Sequence, residues 1–118
     1  MITNKSVEEA IDEILKIDSV LTITISSYEG LVIYEKGMEA VNRKKLSVEI
    51  AKIAKSIQVH LPHQINEGII LCIYYEKYEL LIGFFENFII SCLCERNVNM
   101  GSLKIKMRKI IHQIRASL

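Results

Sequence analysis

Residues Ile69 to Cys94 read IILCIYYEKYELLIGFFENFIISCLC. Three apolar runs, about Gly68 to Tyr75, Glu79 to Phe85 and Phe88 to Glu95, are parted by Glu76-Lys77-Tyr78 and by Glu86-Asn87. Short runs rich in Ile, Tyr and Phe, joined by brief polar turns, predict an antiparallel meander of three strands. Side chains alternate across a strand. Ile70, Cys72 and Tyr74 therefore point one way, and Ile69, Leu71 and Ile73 the other. Both sets are apolar, whereas an antiparallel sheet with one wet face alternates apolar and polar residues. This part of the sheet is predicted to be covered on both faces.

Working outward, the segment before the meander is helical. Leu46, Ile50, Ile53, Ala54, Ile57 and Leu61 form one apolar stripe from Arg43 to His60. Pro62 ends it, because a residue before proline avoids the helical region. Further upstream, VLTITISS from Val20 to Ser27 alternates Leu21, Ile23 and Ile25 with Thr22, Thr24 and Ser26, the pattern of a half-buried strand. Tyr28-Glu29-Gly30 is a turn in which Gly30 supplies a positive φ, and Leu31 to Glu35 returns as the second strand of a hairpin. Gly37 and Asn42 fall in the connection that follows. Ser6 with Glu9 has the spacing of a capping box, so a first helix is expected from there to about Ile17, with Val7, Ala10, Ile11, Ile14 and Leu15 inward.

Downstream of the meander, Asn99 is expected to cap a last helix. Its apolar stripe is Leu103, Met107, Ile110, Ile111, Ile114 and Leu118, and its outer surface is basic with Lys104, Lys106, Arg108, Lys109 and Arg115. The order is αββαβββα: an α+β sandwich of one five-stranded antiparallel sheet, the terminal helices on one face and the middle helix on the other. A helix is about 10 Å wide, and five strands span about 24 Å. The middle helix alone is too narrow for its side, so a partner chain is expected to complete the cover.

Bulk composition agrees. The chain has 118 residues, 50% of them hydrophobic, with a formal net charge of +1. That is the length of one domain, read here as residues 1–118, and its apolar content excludes disorder. No run approaches the about 20 apolar residues of a membrane helix. The N-terminus shows no apolar secretory segment and the three cysteines form no disulfide framework, so a cytoplasmic address is expected. A pI of about 7.7 is not that of a nucleic-acid binder.

No catalytic, cofactor or metal site is expected. Cys92-x-Cys94 puts two thiols on one face of a strand, but a tetrahedral metal site needs four ligands; buried, reduced cysteines acting as small hydrophobes are the better reading. His60 and His63 straddle Pro62, which breaks helical spacing. Nothing fits a glycine-rich phosphate loop. The basic last helix carries no aromatic residue for stacking a base, and its charges match the acidic first helix with Glu8, Glu9, Asp12 and Glu13. The middle helix has a second line, Lys45, Val48, Lys52, Lys55 and Val59, which reads either as a solvated basic face or as a mixed contact stripe for another protein.

Two local patterns set in this order resemble the Roadblock family, which includes dynein light chains and partners of small Ras-like GTPases. The first is the hairpin Ser26-Ser27-Tyr28-Glu29-Gly30-Leu31-Val32-Ile33, similar to the family's acidic-residue-Gly turn. The second is Asn99-Met100-Gly101 leading into Leu103, Met107 and Ile110, similar to its Asn-x-Gly entry to the last helix. The likeness spans about Val7 to Ile114. It departs at Ser27-Tyr28, where an Asp-rich turn is frequent. The resemblance implies a homodimer, or a pair with a paralogous chain, in which middle helices and third strands meet. Carried onto this chain, it puts Lys45, Val48, Lys52, Lys55 and Val59, with Ile69, Leu71 and Ile73, at the seam, and Gly30, Asn99 and Gly101 in structural roles. It also implies scaffolding of a Ras-like GTPase, with any effect on GTP hydrolysis acting through the GTPase's own residues. Nothing argues for Arg43 or Arg96 as an arginine finger. The rivals are a ligand-binding sensor of the profilin, longin or PAS kind, and a purely structural assembly subunit.

Overall fold

The computed structural model describes residues 5–38, 43–60, 70–85 and 88–117. The elements run α1 (Lys5–Leu15), β1 (Val20–Ser26), β2 (Val32–Gly37), α2 (Arg43–His60), β3 (Ile70–Tyr75), β4 (Tyr78–Phe85), β5 (Phe88–Glu95) and α3 (Met100–Ser117). The five strands form one sheet in the order β2-β1-β5-β4-β3, every pair antiparallel. This is the αββαβββα sandwich that the periodicities predict.

The helices divide between the faces as expected. α1 and α3 lie side by side and close one face. Val7, Ala10, Ile11 and Ile14 of α1 and Leu103, Met107, Ile110 and Ile111 of α3 bury against Ile23, Ile25, Leu81, Ile90, Cys92 and Cys94. A full aliphatic side chain withdrawn from water contributes about 1.5–3 kcal/mol, so this layer holds the fold. Gly83 of β4 faces it; a Cβ there would lie 2.8 Å from Met107 Sδ, and its absence lets α3 approach the sheet. α2 lies on the other face. Ile50 joins Leu80, Ile82, Phe84, Ile89 and Leu93, with Leu46, Leu71 and Ile73 half-buried beside them. Ile70 and Cys72 pack with the first cluster and Leu71 and Ile73 with the second, so the meander is apolar toward both faces.

Four local expectations are corrected. Ser6 lies within α1, which begins at Lys5, so it is not the cap; an N-cap residue is non-helical. The β3–β4 turn is Glu76-Lys77 alone, with Tyr78 already paired to Tyr75. Glu76 adopts φ 49°, the sign that two-residue hairpins of primed type require. Leu21 does not share a face with Ile23 and Ile25: a register shift between Val20 and Thr22 turns it toward the α2 cluster. Gly37 is not in a connection but ends β2 opposite Thr22. Its φ is 122°, and a Cβ there would sit 2.3 Å from Leu21 O and 2.8 Å from Thr22 Cα.

β1 is also more enclosed than half-buried. It runs between β2 and β5, and Thr22, Thr24 and Ser26 are buried along with its isoleucines. At the other end of the chain Asn99 caps α3 as read: its Oδ1 accepts the Ser102 N–H at 3.1 Å.

Candidate interaction surface

The contact surface implied by the sequence has two parts, one on α2 and one on β3. α2 follows from an apolar stripe with no proline before Pro62. It presses Ile50 and Ala51 inward and turns Lys45, Val48, Lys52 and Lys55 outward. Val48 is 43% exposed. Lys52 Nζ meets Glu49 Oε1 at 3.3 Å, one helical turn away on the surface. The side chain of Val59, and Ile69, lie outside the described residues.

The hairpin turn supports α2 from below. Ser27 Oγ accepts the N–H groups of Glu29 (3.3 Å) and Leu31 (3.2 Å). The Gly30 N–H donates to Ser27 O at 3.1 Å, and Ser27 N–H to Leu31 O at 2.9 Å. Gly30 has φ 90° and is buried; a Cβ there would lie 3.3 Å from Val48 Cα. So the glycine has two reasons, a left-handed backbone and the helix seated on it. Ser27, which departs from the resembled turn, organises the turn through its hydroxyl. Tyr28 is half-buried against the α2 cluster, and this burial pushes its phenol up to about 12. Leu31, next in the chain after Gly30, is exposed.

β3 is the second part. It pairs with β4 alone, which leaves its other edge without a strand neighbour among the described residues. Leu71 and Ile73 project to the α2 face and are half-buried there. Such an edge is a template for another strand. α2 and β3 therefore share a face, but α2 makes its closest approach at β1 and β2, toward the far edge. One apolar cluster, from Ile50 through Leu80, Ile82 and Leu93 to Leu71 and Ile73, connects them.

Gly101, unlike Gly30, has no steric requirement: it is exposed, and a Cβ would meet only Asn99 Oδ1 at 3.6 Å.

The cysteines behave as small hydrophobes. All three are free, and Cys92 and Cys94 are buried in the α1/α3 cluster. Burial, then the charge of Glu79 and Cys72, pushes the Cys94 thiol up to about 12. Cys92 is raised by burial and by Cys94. Thiols held protonated are poor ligands and nucleophiles at neutral pH. An open groove of about 490 Å³ runs along β2, lined by Gly30 to Glu35. No described helix is long and apolar enough to cross a membrane.

No family model and no curated protein matches the sequence. Solved structures do match the fold. Over 92% of this chain and 94% of the other, it is similar to the Roadblock/LC7 domain from Streptomyces avermitilis, with 10% identity and a TM-score of 0.74. It is similar to MglB of Myxococcus xanthus over 99% of this chain and 100% of that one, with 13% identity and a TM-score of 0.81. The gliding protein MglB of Thermus thermophilus matches over 88% of this chain and 82% of its own, with 14% identity and a TM-score of 0.73. The chain has the Roadblock/LC7 fold.

Proposed function

We propose that this Roadblock-fold chain is a scaffold that pairs with a second copy, or with a paralogous chain, through β3 and α2, and that the pair binds a small Ras-like GTPase. The observation that carries the pairing is the edge of β3 that has no strand neighbour among the described residues, with Leu71 and Ile73 half-buried beside it. An antiparallel partner strand would satisfy that edge and extend the apolar face. The GTPase reading rests on the resemblance of the hairpin and of the last-helix entry, together with the exposed line Lys45, Val48, Lys52 and Lys55 on α2. Its effect would be to localise the GTPase or to modulate its GTP hydrolysis by positioning the GTPase's own residues, in a cytoplasmic setting.

Two measurements test this. Light scattering at micromolar concentration in about 1 M salt, where charge contacts are screened, should give twice the chain mass, and Leu71→Asp should return the single-chain mass. A pull-down with Ras-like GTPases loaded with GTP or GDP should show nucleotide-dependent capture, weakened by Val48→Asp or Val59→Asp. A monomer at all concentrations removes the pairing. A clean dimer that captures no GTPase in either state removes the partner and leaves a structural assembly subunit.

A further inference from the structure

The layer formed by α1 and α3 is polarised by charge. α1 carries Glu8, Glu9, Asp12 and Glu13 against one base, Lys5. α3 carries Lys104, Lys106, Arg108, Lys109 and Arg115 and no acid. Part of this charge is matched within the chain. Lys36 Nζ binds Asp12 Oδ1, and Lys109 Nζ lies 3.6 Å from Glu13 Oε2. Among the described residues Glu8, Glu9, Lys104, Lys106 and Arg108 make no ion pair. Ile105, Arg108, Lys109 and His112 recur at the spacing of one outward stripe, and all four are exposed. Ile105, at 70%, is among the most exposed apolar side chains described.

The topology fixes how the helices run. Val20 pairs with Cys94, so the end of α1 and the start of α3 lie at the same end of the sheet. The two helices are therefore antiparallel neighbours, joined by Glu13, near the end of α1, and Lys109, midway along α3. A flat surface of one sign, such as an anionic bilayer, would meet the acidic helix together with the basic one. A partner that fits must itself be bipolar, and this layer is bipolar with the right spacing.

We infer that the α1/α3 layer is a self-complementary docking surface for a second copy of this chain. The copy stacks face to face about a two-fold axis running along and between the two helices. That rotation places each acidic α1 over the basic α3 of the other copy and keeps position along the axis, so Arg108 and Lys109 come level with Asp12 and Glu13 of the second copy. A two-fold axis across the helices would instead set like charges together. Charge therefore selects one of the two in-plane axes. Ile105, exposed near the start of α3, adds an apolar group at the margin of the contact. This contact lies on the face opposite α2 and is independent of the β3 edge.

Sedimentation velocity across salt tests it, on the wild type and on Leu71→Asp, in which the β3 edge is blocked. Screening shortens from about 30 Å to about 3 Å between 0.01 and 1 M salt. Association in Leu71→Asp should weaken by about tenfold or more over that range. Two charge variants leave the Lys36–Asp12 and Lys109–Glu13 pairs in place. Lys106→Glu/Arg108→Glu and Glu8→Lys/Glu9→Lys should each lose the salt-sensitive step, while an equimolar mixture of the two, in which each mixed pair keeps one unaltered α1-over-α3 contact, should restore it in part. Salt-independent sedimentation of wild type and Leu71→Asp overturns the proposal whether or not the variants fold. So does a mixture of folded variants that stays unassociated. Low-salt binding of the wild type to phosphatidylserine vesicles without self-association would assign the layer to an anionic surface instead, and overturns it too.

Discussion

The two faces of this one sheet are closed by different chemistry, and β1 shows it most plainly. Toward α1 and α3 it presents Ile23 and Ile25, both fully buried among aliphatic neighbours. Toward α2 the same strand presents Thr22, Thr24 and Ser26. Thr24 Oγ1 and Ser26 Oγ are buried there without a hydrogen-bond partner among the described residues. On that side the sheet also keeps Leu71, Ile73 and Tyr78 only half-buried. One face is sealed by its own chain. The other has a helix seated partly on hydroxyls and an apolar margin at β3 that is half-buried among the described residues.

The largest effects should separate the faces. Leu81 lies in the sealed cluster and is fully buried. Leu81→Ala should cost about 3 kcal/mol in urea unfolding, within the range for a large-to-small change in a packed core. Leu71→Ala, half-buried on the open face, should cost under about 1 kcal/mol of single-chain stability while weakening pairing. Equal costs would erase the distinction between the faces.

Gly37→Ala comes next. The hairpin of β1 and β2 is the part of the open face that α2 approaches most closely, and Gly37 closes its far end against Leu21 O. A side chain there combines a left-handed φ with a clash against backbone, which cannot move aside as a side chain can. The expected loss is about 2 kcal/mol or more, read as a lowered urea midpoint. An unchanged midpoint would mean that the strand end is not held as tightly as the geometry shows.

Gly37 also marks where the sequence stops being readable. The bounds of α2 and β5 follow from a long apolar stripe stopped by Pro62 and from a continuous apolar run, which leave little choice. The two-faced meander follows from the same reasoning, and so does the division of the helices. What Gly37 does depends on Leu21 and Thr22 on the neighbouring strand, and no local pattern encodes that contact. A strict period of two misplaces Leu21 itself, because a bulge interrupts the strand there. The hydroxyls of β1 look solvated when alternation is taken to mean one wet face, yet α2 covers them. Of the proposed contact surface, Val48 and Lys52 are exposed on α2 and Leu71 and Ile73 lie on the α2 face of β3, but the sequence does not show that α2 leans toward β1 and β2, away from β3.

Thr24→Val sharpens the comparison with a gain. It replaces a buried hydroxyl that lacks a partner among the described residues by a methyl group of similar size, making the open face resemble the sealed one. Stability should rise by about 1 kcal/mol, since the desolvation cost of the unmade hydrogen bond disappears. A loss would show that the hydroxyl is satisfied in solution and that this face is better matched than its chemistry implies.

Alkaline titration reaches both faces at once. Burial raises Cys94 on the sealed side from the ordinary 9.0 to about 12, and Tyr28 on the open side from 10.0 to about 12. In each case the fold favours the neutral form. Above about pH 9 the unfolded chain releases protons that the folded chain retains, so stability falls with rising pH across the window up to about 12. Thermal melts should show Tm declining there, and the decline should be shallower in Cys92→Ala/Cys94→Ala, which leaves Tyr28 alone. A wild-type Tm that stays level up to about pH 11 would contradict the burial of both groups.

The smallest effect concerns the entry to α3, which belongs to the sealed face. Asn99 and Gly101 resemble a family motif together, yet the structure separates them. Asn99 has a stated task, accepting the Ser102 N–H. Gly101 is helical, exposed and clear of close contacts, so its missing side chain relieves no clash. Glycine within a helix is less stable than alanine by about 0.5–1 kcal/mol, because it loses more backbone freedom on folding. Gly101→Ala should therefore raise the urea midpoint slightly, in a position where the motif alone would forbid change. Should it instead weaken a complex while the isolated chain grows more stable, Gly101 is kept for close approach of a partner, and the sealed face is an interface at that corner as well.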